Sequence, residues 1–152
     1  MKRFLPGLFA RFKRLFFKSG STAPIDAGER ISRFVLQRSH IGGPFGVRPS
    51  AFIPPSSLQP ARMATSVFRT SSLTLAEVWD LADNVVGRAR GLKALGSADL
   101  TAGAISEVGL TVTPAPEPHP LHADIVGWPA EKERRKELAL LLCHRTTLVK
   151  RT

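Results

Sequence analysis

"ATSVFRTSSLTLAEVWDLADNVVG", residues 64–87, joins two elements of different period. Residues 64–70 are rich in β-branched and aromatic side chains and read as a strand. Thr74 then stands three residues ahead of Glu77. That is the spacing of a capping box, in which each side chain satisfies the other residue's free backbone N–H. Leu73 and Val78 occupy the positions of a hydrophobic staple. Val78, Leu81 and Val85 form an apolar stripe, and Gly87 is the expected stop.

Downstream, "SADLTAGAISEVG" (97–109) predicts a second helix, capped by Ser97 or Asp99 and ended by Gly109. Leu100, Ala104, Ile105 and Val108 would face inward, and Gly103 weakens the helix. "LTVT" (110–113) and "HADIVGW" (122–128) read as strands. A last helix is expected to open on Pro129, with Glu131 and Glu133 at its positive end and a Glu131–Arg135 pair. Leu138, Leu141 and Leu142 would bury its far half, with Trp128 sealing the core beneath.

Upstream, "RISRFVLQ" (30–37) has Ile31, Phe34 and Val35 at helical spacing but is too short to assign. Residues 39–60 contain Gly42, Gly43, Pro44, Gly46, Pro49, Pro54, Pro55 and Pro60, which exclude a long regular element. The expected fold is α+β: a small sheet with about three packed helices and a Pro/Gly-rich loop near the start of the domain. It would occupy residues 30–152, after a cationic amphipathic arm at 1–20 and a flexible linker at 21–29.

The net charge of +10 is concentrated at one end. Lys2, Arg3, Arg11, Lys13, Arg14 and Lys18 precede the first acid, Asp26. In the same arm Leu8, Phe9, Phe12, Leu15 and Phe16 fall on one helical face and Arg11, Arg14 and Lys18 on the other, with Phe17 the misfit. The surface-tethering candidates are therefore Phe9, Phe12, Phe16, Arg11, Arg14 and Lys18. The partner expected for them is an anionic membrane surface or an acidic protein. An import presequence and a helix docked on a core or partner groove are the competing readings.

The single cysteine, Cys143, excludes an internal disulfide and sits in an apolar run as a small buried hydrophobe. No apolar run approaches 18 residues, so no spanning helix is expected, and the localisation read from the sequence is cytoplasmic or peripheral to a membrane.

Three constellations carry candidate chemistry. In "EPHPLHADIVGWP" (117–129), His119, His122 and Asp124 are candidate metal donors, but a third reliable ligand is missing locally. The bland alternative has His122 satisfying a backbone carbonyl at the strand entry. His40, Arg48, Arg69 and His122, with Arg33 and Arg38 nearby in sequence, are candidates for a phosphate-handling enzyme of phosphoryl or ADP-ribosyl type. However, "GGPFG" (42–46) lacks the lysine and helix of a phosphate loop. Arg88, Arg90 and Lys93 are candidates for sequence-independent nucleic-acid binding on charge alone. No GxSxG elbow or CxxC pair is present, and no cofactor is expected.

Through "SVFRT" ahead of an acidic, tryptophan-bearing helix and "HADIVGWP" ahead of the last helix, residues 30–140 resemble small bacterial proteins of unknown function. The resemblance implies no activity. The leading reading is a non-enzymatic interaction module, tethered by its arm to an anionic surface.

Overall fold

A computed structural model of the chain describes residues 22–55, 63–117 and 119–152. The helix expected over 1–20, with every tethering candidate, lies outside the described residues. Among the described residues there are six strands: β1 (Arg30–Val35), β2 (Thr65–Arg69), β3 (Gly96–Thr101), β4 (Thr111–Pro114), β5 (His122–Val126) and β6 (Thr147–Lys150). They form one antiparallel sheet in the order β4-β5-β2-β1-β3-β6. The helices are α1 (Leu75–Leu81), α2 (Arg88–Arg90), α3 (Ala102–Glu107) and α4 (Lys132–His144), with a π-helical segment, Ala82–Gly87, joining α1 to α2. The fold is α+β, as the patterning predicts.

Strand alternation divides the side chains between two faces. Ile31, Val35, Val67, Ala98, Ala123 and Ile125 point to one face and are buried against Ile105 of α3, Leu138, Leu142 and Cys143 of α4, and Phe52. Burying each large side chain contributes about 1.5–3 kcal/mol. Phe34 and Phe68 point to the other face, where Leu73, Val78 and Leu81 cover them. The capping box is formed: Glu77 N–H donates to Thr74 Oγ1 at 3.3 Å and Thr74 N–H to Glu77 Oε1 at 3.1 Å. Leu73 and Val78 are both buried in the same cluster, as the staple requires.

Several boundaries differ from expectation, each for a local reason. Residues 30–35 are a strand, and the inward positions Ile31 and Val35 bracket the charged Arg33. Gly87 does not end the first helix; the π segment carries it on to Gly91, which takes the left-handed conformation at φ 65°. Ser97 and Asp99 are not caps but belong to β3. Asp99 Oδ1 accepts from Ser97 Oγ at 2.5 Å and from Ser32 Oγ at 2.7 Å, so these groups satisfy one another across strands. The cap of α3 is Thr101, whose Oγ1 accepts from Ala104 N–H at 3.1 Å.

The last helix starts at Lys132 rather than Pro129. Arg135 donates to the carbonyls of Pro129 and Ala130 instead of pairing with Glu131. Leu141 is 42% exposed, while Leu138 and Leu142 are buried. Trp128 is buried and its indole N–H donates to Ile125 O at 3.1 Å. Asp83, in the π segment, receives both arms of the Arg151 guanidinium at 2.7 Å, and Ala94 N–H as well. The described part of the 21–29 linker lies against the domain: Glu29 binds Arg69, Ala23 O accepts from Arg69, and Ala27 O accepts from Gly103 N–H.

No helix among the described residues is long and apolar enough to cross a membrane.

Candidate functional site

β1 pairs with β3 along all six of its residues, but with β2 only at Ile31↔Arg69 and Ser32↔Phe68. Beyond Phe68, β2 keeps its pairing with β5 down to Thr65↔Ile125. The sheet is therefore zipped at one end of the β1–β2 seam and forked at the other. Arg33 is the first residue past the zip. Its guanidinium Nε–H donates to Ala51 O at 2.8 Å and Nη1–H to Ser66 O at 2.9 Å. The second bond takes a β2 carbonyl beyond the paired end of the seam, and the first ties β1 to the loop before β2. Thr65 Oγ1 ties the same loop to β2 by donating to Phe52 O at 2.6 Å.

A cavity of about 410 Å³ opens in the fork. Arg33, Phe34, Ser66 and Phe68 line it from the sheet, Ile53, Pro54 and Pro55 from the loop before β2. Val85, Val86, Ala89 and Arg90 line it from the π segment and α2, and His122 from β5. A small recess of about 20 Å³ shares Arg33, Phe34, Val86 and Arg90 with it and adds Leu36, Gln37 and His40. Among the described residues no carboxylate lines either space.

The electrostatics follow from that lining. Burial, and secondarily the charge of Arg90, pull the Arg33 guanidinium down to about 10. Burial, then Arg33 and Arg90, hold His40 below the ordinary imidazole range. Arg33 Nη2 has no hydrogen-bond partner among the described residues, and Arg90 has neither a hydrogen bond nor an ion pair there. Among the described residues, two cations thus line one space without a counter-charge; the desolvation cost falls on Arg33, while Arg90 is exposed.

The aromatic side of the cleft is ordered by stacking. Phe34 lies on Phe68 at 5.3 Å and 26°. The His122 ring meets Phe68 edge-on at 5.4 Å and the His119 ring does so at 6.1 Å. His122 Nδ1 lies 2.9 Å from Ala115 O and must carry the proton it donates there, which leaves Nε2 as the acceptor when the ring is neutral. Burial and neighbouring His122 lower the His119 pKa.

The sequence candidates distribute as follows. His40 and His122 reach the recess and the main cavity respectively. Arg48 lies across Gly42 instead, since a Cβ there would stand 2.9 Å from Arg48 Nη2. Arg69 is bound bidentately by Glu29 at 2.6 and 2.9 Å. His122 Nε2 is 3.8 Å from Asp124 Oδ1, but the described residues contain no group of three or more potential metal donors that includes them and His119. Arg88, Arg90 and Lys93 are all exposed, and of the three only Arg90 lines the cleft.

The residue that sequence reasoning underused is Arg33. A charged side chain between two inward apolar positions of a strand was the available signal, and it is readable only once 30–35 is assigned as β.

The fold and cleft together define an antiparallel α+β domain with a cationic, carboxylate-free cavity at a fork in its sheet. No family model matches the chain, and neither a curated protein nor a solved structure matches it.

Proposed function

We propose that residues 30–152 form a small binding module that takes an anionic group into the forked cleft, while the segment 1–20 tethers it to an anionic surface. The observation that supports this reading is the pair Arg33 and Arg90, which line one cavity that no carboxylate shares. A guanidinium offers its donors in a planar fork suited to phosphate or carboxylate oxygens. Ser66 lines the same cavity. Binding is favoured over phosphoryl or ADP-ribosyl chemistry because the proposed acid–base and cationic groups are dispersed. His40 and His122 line different spaces, while Arg48 and Arg69 are engaged elsewhere.

The test is a titration of the isotopically labelled full chain with inorganic phosphate at low ionic strength, read by NMR. Shifts should concentrate at Arg33, His40, Ser66 and Arg90 and vanish in Arg90→Ala, whose side chain supports nothing else. Shifts scattered over the surface and unchanged in Arg90→Ala would refute the proposal.

A further inference from the structure

The cleft is larger and greasier than a bare anion requires. Its volume of about 410 Å³ falls in the range of sites for whole small molecules, about 300–1,000 Å³. Beyond the two arginines, and apart from Thr65, Ser66 and His122, its walls are apolar: the stacked Phe34 and Phe68, the rings of Pro54 and Pro55, and Val85 and Val86 of the π segment. Both arginines stand where the cavity meets the recess, since the two spaces share Arg33 and Arg90 together with Phe34 and Val86. Such a lining sorts a ligand into a charged head and an apolar body.

We infer that the ligand is a small aromatic phosphomonoester, its phosphate between Arg33 and Arg90 and its ring against Phe34, Phe68 and the two prolines. This rests on the anion-binding reading above and adds the chemistry of the ligand. Phosphate is favoured over carboxylate by the number of donors. Two separate guanidiniums, one with an unused Nη2, can be matched by three phosphate oxygens and a charge near −2, while a carboxylate offers two oxygens and one charge. An aromatic body is favoured because Phe34, Phe68 and the two prolines line the apolar side, and an aromatic ring packs on such groups offset or edge-on.

π-helical segments are rare and concentrate at functional sites. Here the segment contributes Val85 and Val86 to the cleft wall, and its far side is held by the Asp83–Arg151 pair and by Arg151 over the Trp79 ring at 5.2 Å. The wall opposite the aromatic pair is therefore braced from behind, as a site with a defined shape needs.

Calorimetric titration of the full chain with phenyl phosphate, octyl phosphate, inorganic phosphate and phenol, at fixed salt, tests this. Phenyl phosphate should bind at least about tenfold more tightly than inorganic phosphate, because its ring leaves water. Phenol should not bind at the same concentrations.

Arg90→Ala should weaken phenyl phosphate by about tenfold or more. Ala89→Glu, an exposed helical position on the cleft wall, should abolish it by placing a carboxylate there while circular dichroism stays unchanged. Equal affinity for phenyl phosphate and inorganic phosphate would overturn the inference and leave the anion-binding reading standing. Octyl phosphate binding more tightly than phenyl phosphate would overturn the aromatic assignment. Absence of binding by every phosphate would remove both readings.

Discussion

Replacing Gly87 by alanine sets helix propensity against packing, and the two give opposite signs. Gly87 sits inside a continuous helical segment with φ −66°, where alanine is intrinsically favoured by about 1 kcal/mol. A Cβ built at Gly87 would stand 2.1 Å from the carbonyl oxygen of Leu92, and real Cβ atoms are essentially never found within 3.0 Å of another heavy atom. The neighbour is backbone, and it is held in place because Leu92 N–H donates to Gly87 O at 2.9 Å. Relief therefore requires the turn after α2 to move. Overpacking of this kind costs about 1–3 kcal/mol, and a backbone clash belongs at the upper end. The net expectation is a loss of about 1–2 kcal/mol. With an ordinary urea slope the midpoint of unfolding should fall by roughly 0.5–1 M. Urea denaturation followed by far-UV circular dichroism measures it. A Gly87→Ala protein as stable as the parent, or more so, would show that the π segment does not close on Leu92 as described.

Three further expectations concern other parts of the fold. Thr74→Ala removes the acceptor for Glu77 N–H and should cost about 1 kcal/mol, with Thr74→Ser close to neutral, read by the same urea curves. His40 and His119 have folded-state pKa values below the ordinary 6.5, so the unfolded chain takes up these protons first. Stability should be full above about pH 6.5 and fall as the pH drops below it, and phosphate should raise the His40 pKa seen by NMR; a midpoint flat from pH 7.5 to 5.5 would contradict this. Cys143 is fully buried and burial pushes its thiol up to about 11, so a disulfide reagent at pH 8 should modify it only as fast as the protein opens.

What could be read from residues alone was whatever depends on neighbours in sequence. Thr74, Glu77, Leu73 and Val78 specify the start of α1 within six positions, and the structure forms that cap and staple as expected. β2, β4 and β5 carry enough β-branched residues to be seen. What failed depends on partners far along the chain. Ser97 and Asp99 look like helix caps because both can accept a backbone N–H, and only the arrival of Ser32 from a distant strand turns them into part of a sheet. Asp83 likewise finds its partner, Arg151, 68 residues away. The cleft was hidden for the same reason. Arg33 and Arg90 are 57 positions apart, and it is the fork between β1 and β2 that brings both to one cavity. His40 and His122 were named as candidates, yet nothing local could reveal which arginines would join them.

The fork itself is best understood through what its occupant would do to stability. A fully zipped β1–β2 seam could satisfy its backbone groups without a buried cation, and an apolar residue at position 33 would match Ile31 and Val35. Arg33 instead brings a positive charge into a half-buried site beside Arg90, an arrangement that stability alone does not favour. An anion bound between the two offsets that repulsion only in the folded state, so it must stabilise the protein by mass action. Phosphate at about 100 times its dissociation constant should add about 2.7 kcal/mol to unfolding. Phosphate also strengthens folding of proteins in general by exclusion from their surface. The decisive quantity is therefore the difference between the parent and Arg90→Ala, measured at matched ionic strength with phenyl phosphate and with sulfate-free chloride buffer. If the cleft takes the anion, phenyl phosphate raises the urea midpoint of the parent and barely moves that of Arg90→Ala. Equal gains in both proteins would mean that Arg33 and Arg90 merely tolerate each other, and the reason for an arginine in the fork would have to be sought in the Ala51 and Ser66 carbonyls alone.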